Sequence, residues 1–127
     1  MNPQLIADLE AARALIDSPE KCLFVGHAED RDGLSVNNFN PKAKAFHPVS
    51  AMELVAFREC DSSFASEKEC DDRWSNMIRA FREASGLERH TYGCEGSISY
   101  WLKQQGRTHA EVLAAFDRAI ANERSKA

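Results

Sequence analysis

No basic run longer than two residues occurs anywhere in this 127-residue chain, and the formal net charge is −4. A protein that holds nucleic acid by its phosphates usually carries a basic face, so the balance argues against that class. No apolar stretch approaches the roughly 20 residues needed to span a bilayer, which argues against a membrane partner. Nor is there a Cys-x-x-Cys pair, a G-x-G-x-x-G loop or a Gly-Lys-Ser/Thr phosphate cradle. These gaps remove the usual signatures of redox motifs and nucleotide sites. The opening MNPQLIADLEAARALI carries Asp8 and Glu10 and no basic segment, so it does not read as a secretory signal. The expectation is a cytoplasmic protein whose four cysteines, Cys22, Cys60, Cys70 and Cys94, are free thiols.

What is present describes an ordinary folded domain. Hydrophobic residues make up 43% and charged residues 28%, values foreign to disordered chains. A chain of this length buries roughly two-thirds of its unfolded surface and needs no metal or disulfide. No linker or repeat divides it, so residues 1–127 are read as a single globular domain.

Leu5, Leu9, Ala12 and Ile16 recur at helical spacing behind Pro3, which predicts a helix over 3–16. Cys22–Val25 is a short β-prone run, and Asp32-Gly33 is the strongest reversal signal in the chain. Residues 22–28 and 34–37 are therefore read as a small hairpin, with a loop from Asn37 to Pro48. Ser50–Glu53 and Ser66–Glu69 each have the form of a capping box and are read as helix starts. Trp74, Met77, Ile78 and Phe81 form a clean apolar stripe ending at Gly86. Residues 87–96 read as irregular, with Ser97 capping a short helix that carries Ile98, Trp101 and Leu102. Thr108–Glu111 is a third capping box, before Val112, Leu113, Phe116 and Ile120. Glu123–Ala127 is read as a frayed tail. The fold class expected is α+β and helix-dominated, with four or five helices and one small β-hairpin. Its core would be Leu9, Ile16, Leu54, Phe57, Trp74, Ile78, Phe81, Trp101, Leu113, Phe116 and Ile120.

The run Gly106-Arg107-Thr108-His109-Ala110-Glu111-Val112-Leu113, followed by Phe116-Asp117-Arg118-Ala119-Ile120, resembles the closing motif of a bacterial family, domain-of-unknown-function family 6197. Ala14-Leu15-Ile16 and Ala28-Glu29-Asp30-Arg31-Asp32-Gly33 resemble that family's opening helix and hairpin. The resemblance implies the same order of elements and a bacterial or phage origin, and it assigns no activity. Two segments depart from the pattern. Members carry Trp-Cys-x-x-Gly-Ala where this chain has Phe46-His47-Pro48-Val49-Ser50-Ala51, and an Asn-Asp pair where it has Lys103-Gln104-Gln105.

Candidate chemistry is sparse. His90 and Cys94 are the one His/Cys pair close in sequence, too loose a spacing to predict a metal site, and no cofactor is predicted. The acidic clusters Glu67–Asp72 and Glu29–Asp32 have structural reasons, a first helical turn and a tight turn. Arg73, Arg79, Arg82 and Arg89 read as a solvated helix face. Three functional readings follow. The first is a non-catalytic interaction or regulatory module that meets a protein partner or a second copy of itself. The second is a small-ligand-binding protein or minor enzyme, with His27, His90, Tyr92 and Cys94 between the hairpin and segment 90–97. The third is a DNA-binding regulator in which a C-terminal helix-turn-helix presents Arg107, Thr108 and His109.

Overall fold

The computed structural model describes residues 2–61, 63–86, 93–104 and 106–126, with backbone alone for 93–97. Within them the order is α1 (Pro3–Leu15), a 3-10 turn (Pro19–Lys21), β1 (Ala28–Glu29), β2 (Ala45–Phe46), α2 (Pro48–Phe57), α3 (Phe64–Ser85), α4 (Gly93–Lys103) and α5 (His109–Ser125). The fold is helix-dominated α+β, as the periodicity predicts.

Helices α1, α2, α3 and α5 pack as neighbours in a ring, and α4 lies against α3 and α2. Cross-helix pairs fix the directions. Arg13 Nε meets Asp117 Oδ1 at 2.7 Å, and Arg124 reaches Glu10 at 3.4 Å, so α1 and α5 run antiparallel. Arg118 Nε donates to Ala84 O at 3.1 Å while Arg79 faces Glu123 at 3.7 Å, so α3 and α5 do too. The core inside the ring includes Leu9, Ile16, Met52, Met77, Phe81, Ile98, Phe116 and six fully or nearly fully covered alanines, Ala12, Ala51, Ala56, Ala80, Ala115 and Ala119. Each large side chain buried this way stabilises the fold by about 1.5–3 kcal/mol. Phe81 stands edge-on to both Trp101 (5.5 Å between centroids) and Phe116 (5.0 Å), which ties α4 and α5 to α3. Leu54, Phe57, Trp74 and Leu113 flank this core half-buried instead of filling it.

An ion pair lies within the packing of α1 against α3. Asp8 on α1 is 3% exposed and accepts two bonds from Arg73 on α3, at 2.9 Å from Nε and 2.8 Å from Nη2. Gln4 adds a third at 2.8 Å. Arg73 is therefore no part of a solvated face. Arg82 is 6% exposed, and Arg79 serves Glu83 and the buried Glu123. The long α3 has neighbours on more sides than a single apolar stripe implies.

Other boundaries differ from the sequence reading for local reasons. The partner of β1 is β2, with Ala28 opposite Phe46 and Glu29 opposite Ala45. The expected partner, 34–37, is reduced to a single bridge between Glu29 and Ser35. Asp30 explains this: its Oδ1 accepts from the N–H groups of both Asp32 and Leu34, closing the turn on itself with Gly33 at φ +81°. The hairpin expected over 22–37 is thus a tight turn, and the sheet is completed from the segment read as loop. Helix α2 starts at Pro48, not Ser50, because His47 Nδ1 accepts from Val49 N–H and proline fits the first turn. Helix α3 starts at Phe64, capped by Ser63, not at Ser66. Helix α4 starts at Gly93, four residues before Ser97. The supposed frayed tail is helix to Ser125, since Glu123 is buried and bonded to Lys126 at 2.6 Å.

Removing one member of a buried ion pair leaves the other charge desolvated. With Arg73 a quarter exposed, Asp8→Ala is expected to cost about 2–4 kcal/mol of unfolding free energy. Urea denaturation of Asp8→Ala, Arg73→Met and the double variant checks this; additive losses would show that the two side chains do not act as a pair.

Candidate functional site

The end of the bundle that carries the two-stranded sheet gathers polar side chains from three elements. His47 sits between β2 and α2 and is 5% exposed. Its Nδ1 accepts from Val49 N–H at 3.1 Å, so the ring proton of the neutral form is on Nε2. Burial, then the nearby charges of His27 and Lys103, push its pKa down to about 4. His27 lies just before β1. Its carbonyl accepts from His47 N–H at 2.9 Å, and its exposed ring brings Nδ1 to 3.4 Å from Ser50 Oγ. Ser50, in the first turn of α2, is 4% exposed. Its carbonyl accepts from the buried Asn38, whose Nδ2 also donates to Glu53 Oε1 at 2.9 Å. Glu53 therefore ties down the loop before β2 instead of closing a capping box with Ser50. Lys103 ends α4 and is exposed.

The chemistry open to this arrangement is binding. A neutral imidazole, an exposed imidazole and an ammonium can orient a polar or anionic group. Ser50 Oγ is covered, so a nucleophilic role would lack an approach for substrate. Lys103 on α4 is near enough for its charge to act on His47.

Of the residues singled out from sequence, His27 belongs to this cluster. His90 and Tyr92 lie outside the described residues, as does the side chain of Cys94, whose backbone is in the first turn of α4. His47, Ser50 and Lys103 are not among the ligand-binding candidates read from sequence, where Ser50 is read as a helix start and the three fall in the two departing segments; tertiary packing brings His47 and Ser50 to His27.

The C-terminal candidates stand elsewhere, and each has an internal partner. The Arg107 guanidinium lies 3.9 Å over the Trp101 ring and donates to Trp101 O, Gln104 and Glu111. Arg107 and Thr108, in turn, hold the Glu111 carboxyl below its usual range. Thr108 and Glu111 form a reciprocal capping box for α5. His109 Nε2 donates to Ile16 O at 2.7 Å, pinning the start of α5 to the end of α1.

Two open grooves are lined mainly by charged residues. One, of about 490 Å³ between α1 and α5, includes Glu10, Arg13, Asp117 and Arg124, which pair across it. The other, about 420 Å³, includes Arg31, Lys42 and Lys44 beside Asp30 and Asp32. Among the described residues, no three His, Cys, Asp or Glu side chains are arranged to hold a metal ion. No helix among them is long and apolar enough to cross a membrane.

Residues 1–122 match a family of unknown function, DUF6197, and the chain belongs to that family. No curated protein and no solved structure matches it.

His47 yields a pH signature. Its folded pKa of about 4 lies below the ordinary 6.5. Between those values the unfolded chain binds a proton that the folded chain refuses, so this contribution is complete above pH 6.5 and is lost as pH falls toward 4. The loss between pH 7 and 4.5 is expected to be about 2–3 kcal/mol. His47→Asn keeps a capping side chain without the titration; denaturation at both pH values should show the wild type losing more than this variant, and equal losses would refute the assignment.

Proposed function

We propose that this chain is a small non-catalytic interaction or regulatory module of bacterial or phage origin, working in the cytoplasm through a protein partner or a second copy of itself. The observation that carries the reading is where the apolar surface lies. Of five large hydrophobic side chains exposed among the described residues, Val25 (62%), Leu34 (65%) and Phe39 (45%) belong to one segment around the small sheet. Burial has a use for large apolar side chains elsewhere in the chain, and isolated exposures are common, but three within 15 residues concentrate the cost of exposure in one region. Surfaces of that kind favour contact with another macromolecule.

The test is a pull-down paired with sedimentation velocity, comparing wild type with a Val25→Ser, Leu34→Ser, Phe39→Ser variant. All three side chains face water, so the variant is expected to keep the wild-type helical content while losing the partner or the self-association. A strictly monomeric wild type with no reproducible partner, or a partner held equally by the variant, would overturn the reading.

A second reading, a small-ligand-binding site, is supported by the convergence of His27, His47, Ser50 and Lys103. A thermal shift with a small anion or metabolite that disappears in Lys103→Ala would favour it over the first.

A further inference from the structure

We infer that the groove of about 420 Å³ between the Asp30 turn and segment 41–44 is a binding site for a small soluble phosphate ester, a molecule with a phosphate at one end and hydroxyl groups at the other. Arg31, Lys42 and Lys44 line it, and among the described residues none of these three side chains has a hydrogen bond or ion pair. Cations elsewhere in the chain are engaged: Arg13 with Asp117, Arg73 with Asp8, Arg107 with Glu111 and Arg124 with Glu10. Asp30 and Asp32 share the lining, yet neither comes within ion-pairing distance of the three cations. Three like charges along one groove repel one another, and an anion seated among them relieves that repulsion. The groove uses none of the side chains on which the proposed partner contact rests, so the two readings stand or fall separately.

Both rims are fixed before any ligand arrives. Asp30 Oδ1 accepts from the N–H groups of Asp32 and Leu34, and Gly33 N–H donates to Asp30 O at 3.0 Å, so Arg31 and Asp32 project from a closed turn. On the other rim Asn40 Oδ1 accepts from Lys42 N–H at 2.8 Å, and Asn40 O accepts from Ala43 N–H at 2.9 Å. Lys44 N–H then donates to Glu29 O at 2.8 Å, which ties this rim to β1. Cations carried on backbone held this way lose less freedom on binding than cations on a loose loop. The Arg31 fork suits two phosphate oxygens at once, and the lysine ammonium groups act on the phosphate as point charges. The Asp32 side chain also has no partner among the described residues, and an ionised carboxylate only accepts hydrogen bonds. It repels a bare anion and takes a hydroxyl, so the lining calls for both ends in one molecule. The groove's volume lies within the range of small-ligand sites.

The experiment uses the intact chain, isotope-labelled and followed by its backbone amide NMR signals. The probes are glycerol 3-phosphate, inorganic phosphate and glycerol. The expected result is saturable binding of the ester at millimolar concentration, with shifts confined to residues 30–34 and 41–44. Inorganic phosphate should bind roughly tenfold more weakly, for want of the hydroxyl contact, and glycerol not at all. Arg31→Met and Lys42→Met should each weaken the ester about tenfold, the loss of one charge-assisted contact. Arg58→Met removes an exposed cation outside the groove and should leave binding unchanged. Asp32→Ala should tighten inorganic phosphate while weakening the ester, a split that charge attraction alone does not produce. All four substituted side chains are exposed, so the variants are expected to keep the fold. Failure of the ester to saturate, equal binding of ester and phosphate, shifts elsewhere in the chain, or a loss in Arg58→Met that matches Lys42→Met would each overturn the inference. Retention on vesicles of an anionic phospholipid, with no response to the soluble ester, would overturn it in favour of a membrane headgroup.

Discussion

Asp8 and Arg73 set the geometry to which the rest of the bundle conforms. An aspartate 3% exposed in a helix interface is costly unless its lone pairs are filled, and here two guanidinium N–H groups and one amide fill them. The fork of the arginine admits one relative placement of α1 and α3, which are diagonal rather than adjacent in the ring. Apolar packing alone is indifferent to small slides of one helix along another; a bidentate pair is not. Once α1 and α3 are in register, α2 and α5 occupy the two remaining sides, and Phe81 can meet both Trp101 and Phe116.

The legible part of this fold is the part governed by local period and local caps. The stripe Trp74, Met77, Ile78, Phe81 and the stop at Gly86 sit where the spacing puts them, because Gly86 adopts φ +71° and ends α3 in the left-handed region. Thr108–Glu111 is a true capping box for the same reason: both partners lie within one turn. Two similar patterns misled. Ser-x-x-Glu at 50–53 competes with His47 and Pro48, which cap and begin α2 three residues earlier, and Glu53 is drawn to Asn38, 15 residues away. At 66–69, Ser63 is available first. The strand at 45–46 carries two apolar residues in a polar context, too short for any period to register.

The cluster of His27, His47, Ser50 and Lys103 was legible in one member alone. Histidine and lysine types are common on surfaces, and it is burial that makes His47 unusual. The family assignment brings no activity with it, so the functional reading rests on the distribution of exposed apolar side chains and on this cluster. Arg107, by contrast, looked like a surface cation and is a structural element: stacked on Trp101 and bonded to Glu111, it closes the joint between α4 and α5.

The alanines that line the helix seams constrain how this protein can change. Ala12, Ala51, Ala56, Ala80, Ala115 and Ala119 are all 2% exposed or less, so a larger side chain at any of them must displace its neighbours. Truncating a large side chain elsewhere leaves a void that neighbours partly fill, but enlarging an alanine pushes two helices apart along their whole contact, and overpacking of this kind typically costs about 1–3 kcal/mol. Lateral drift is therefore open at the rim and in the segment around the sheet, while the seams admit little beyond glycine or serine. A library that diversifies this scaffold for new binding would keep those six positions fixed and spend its variation on residues 24–44.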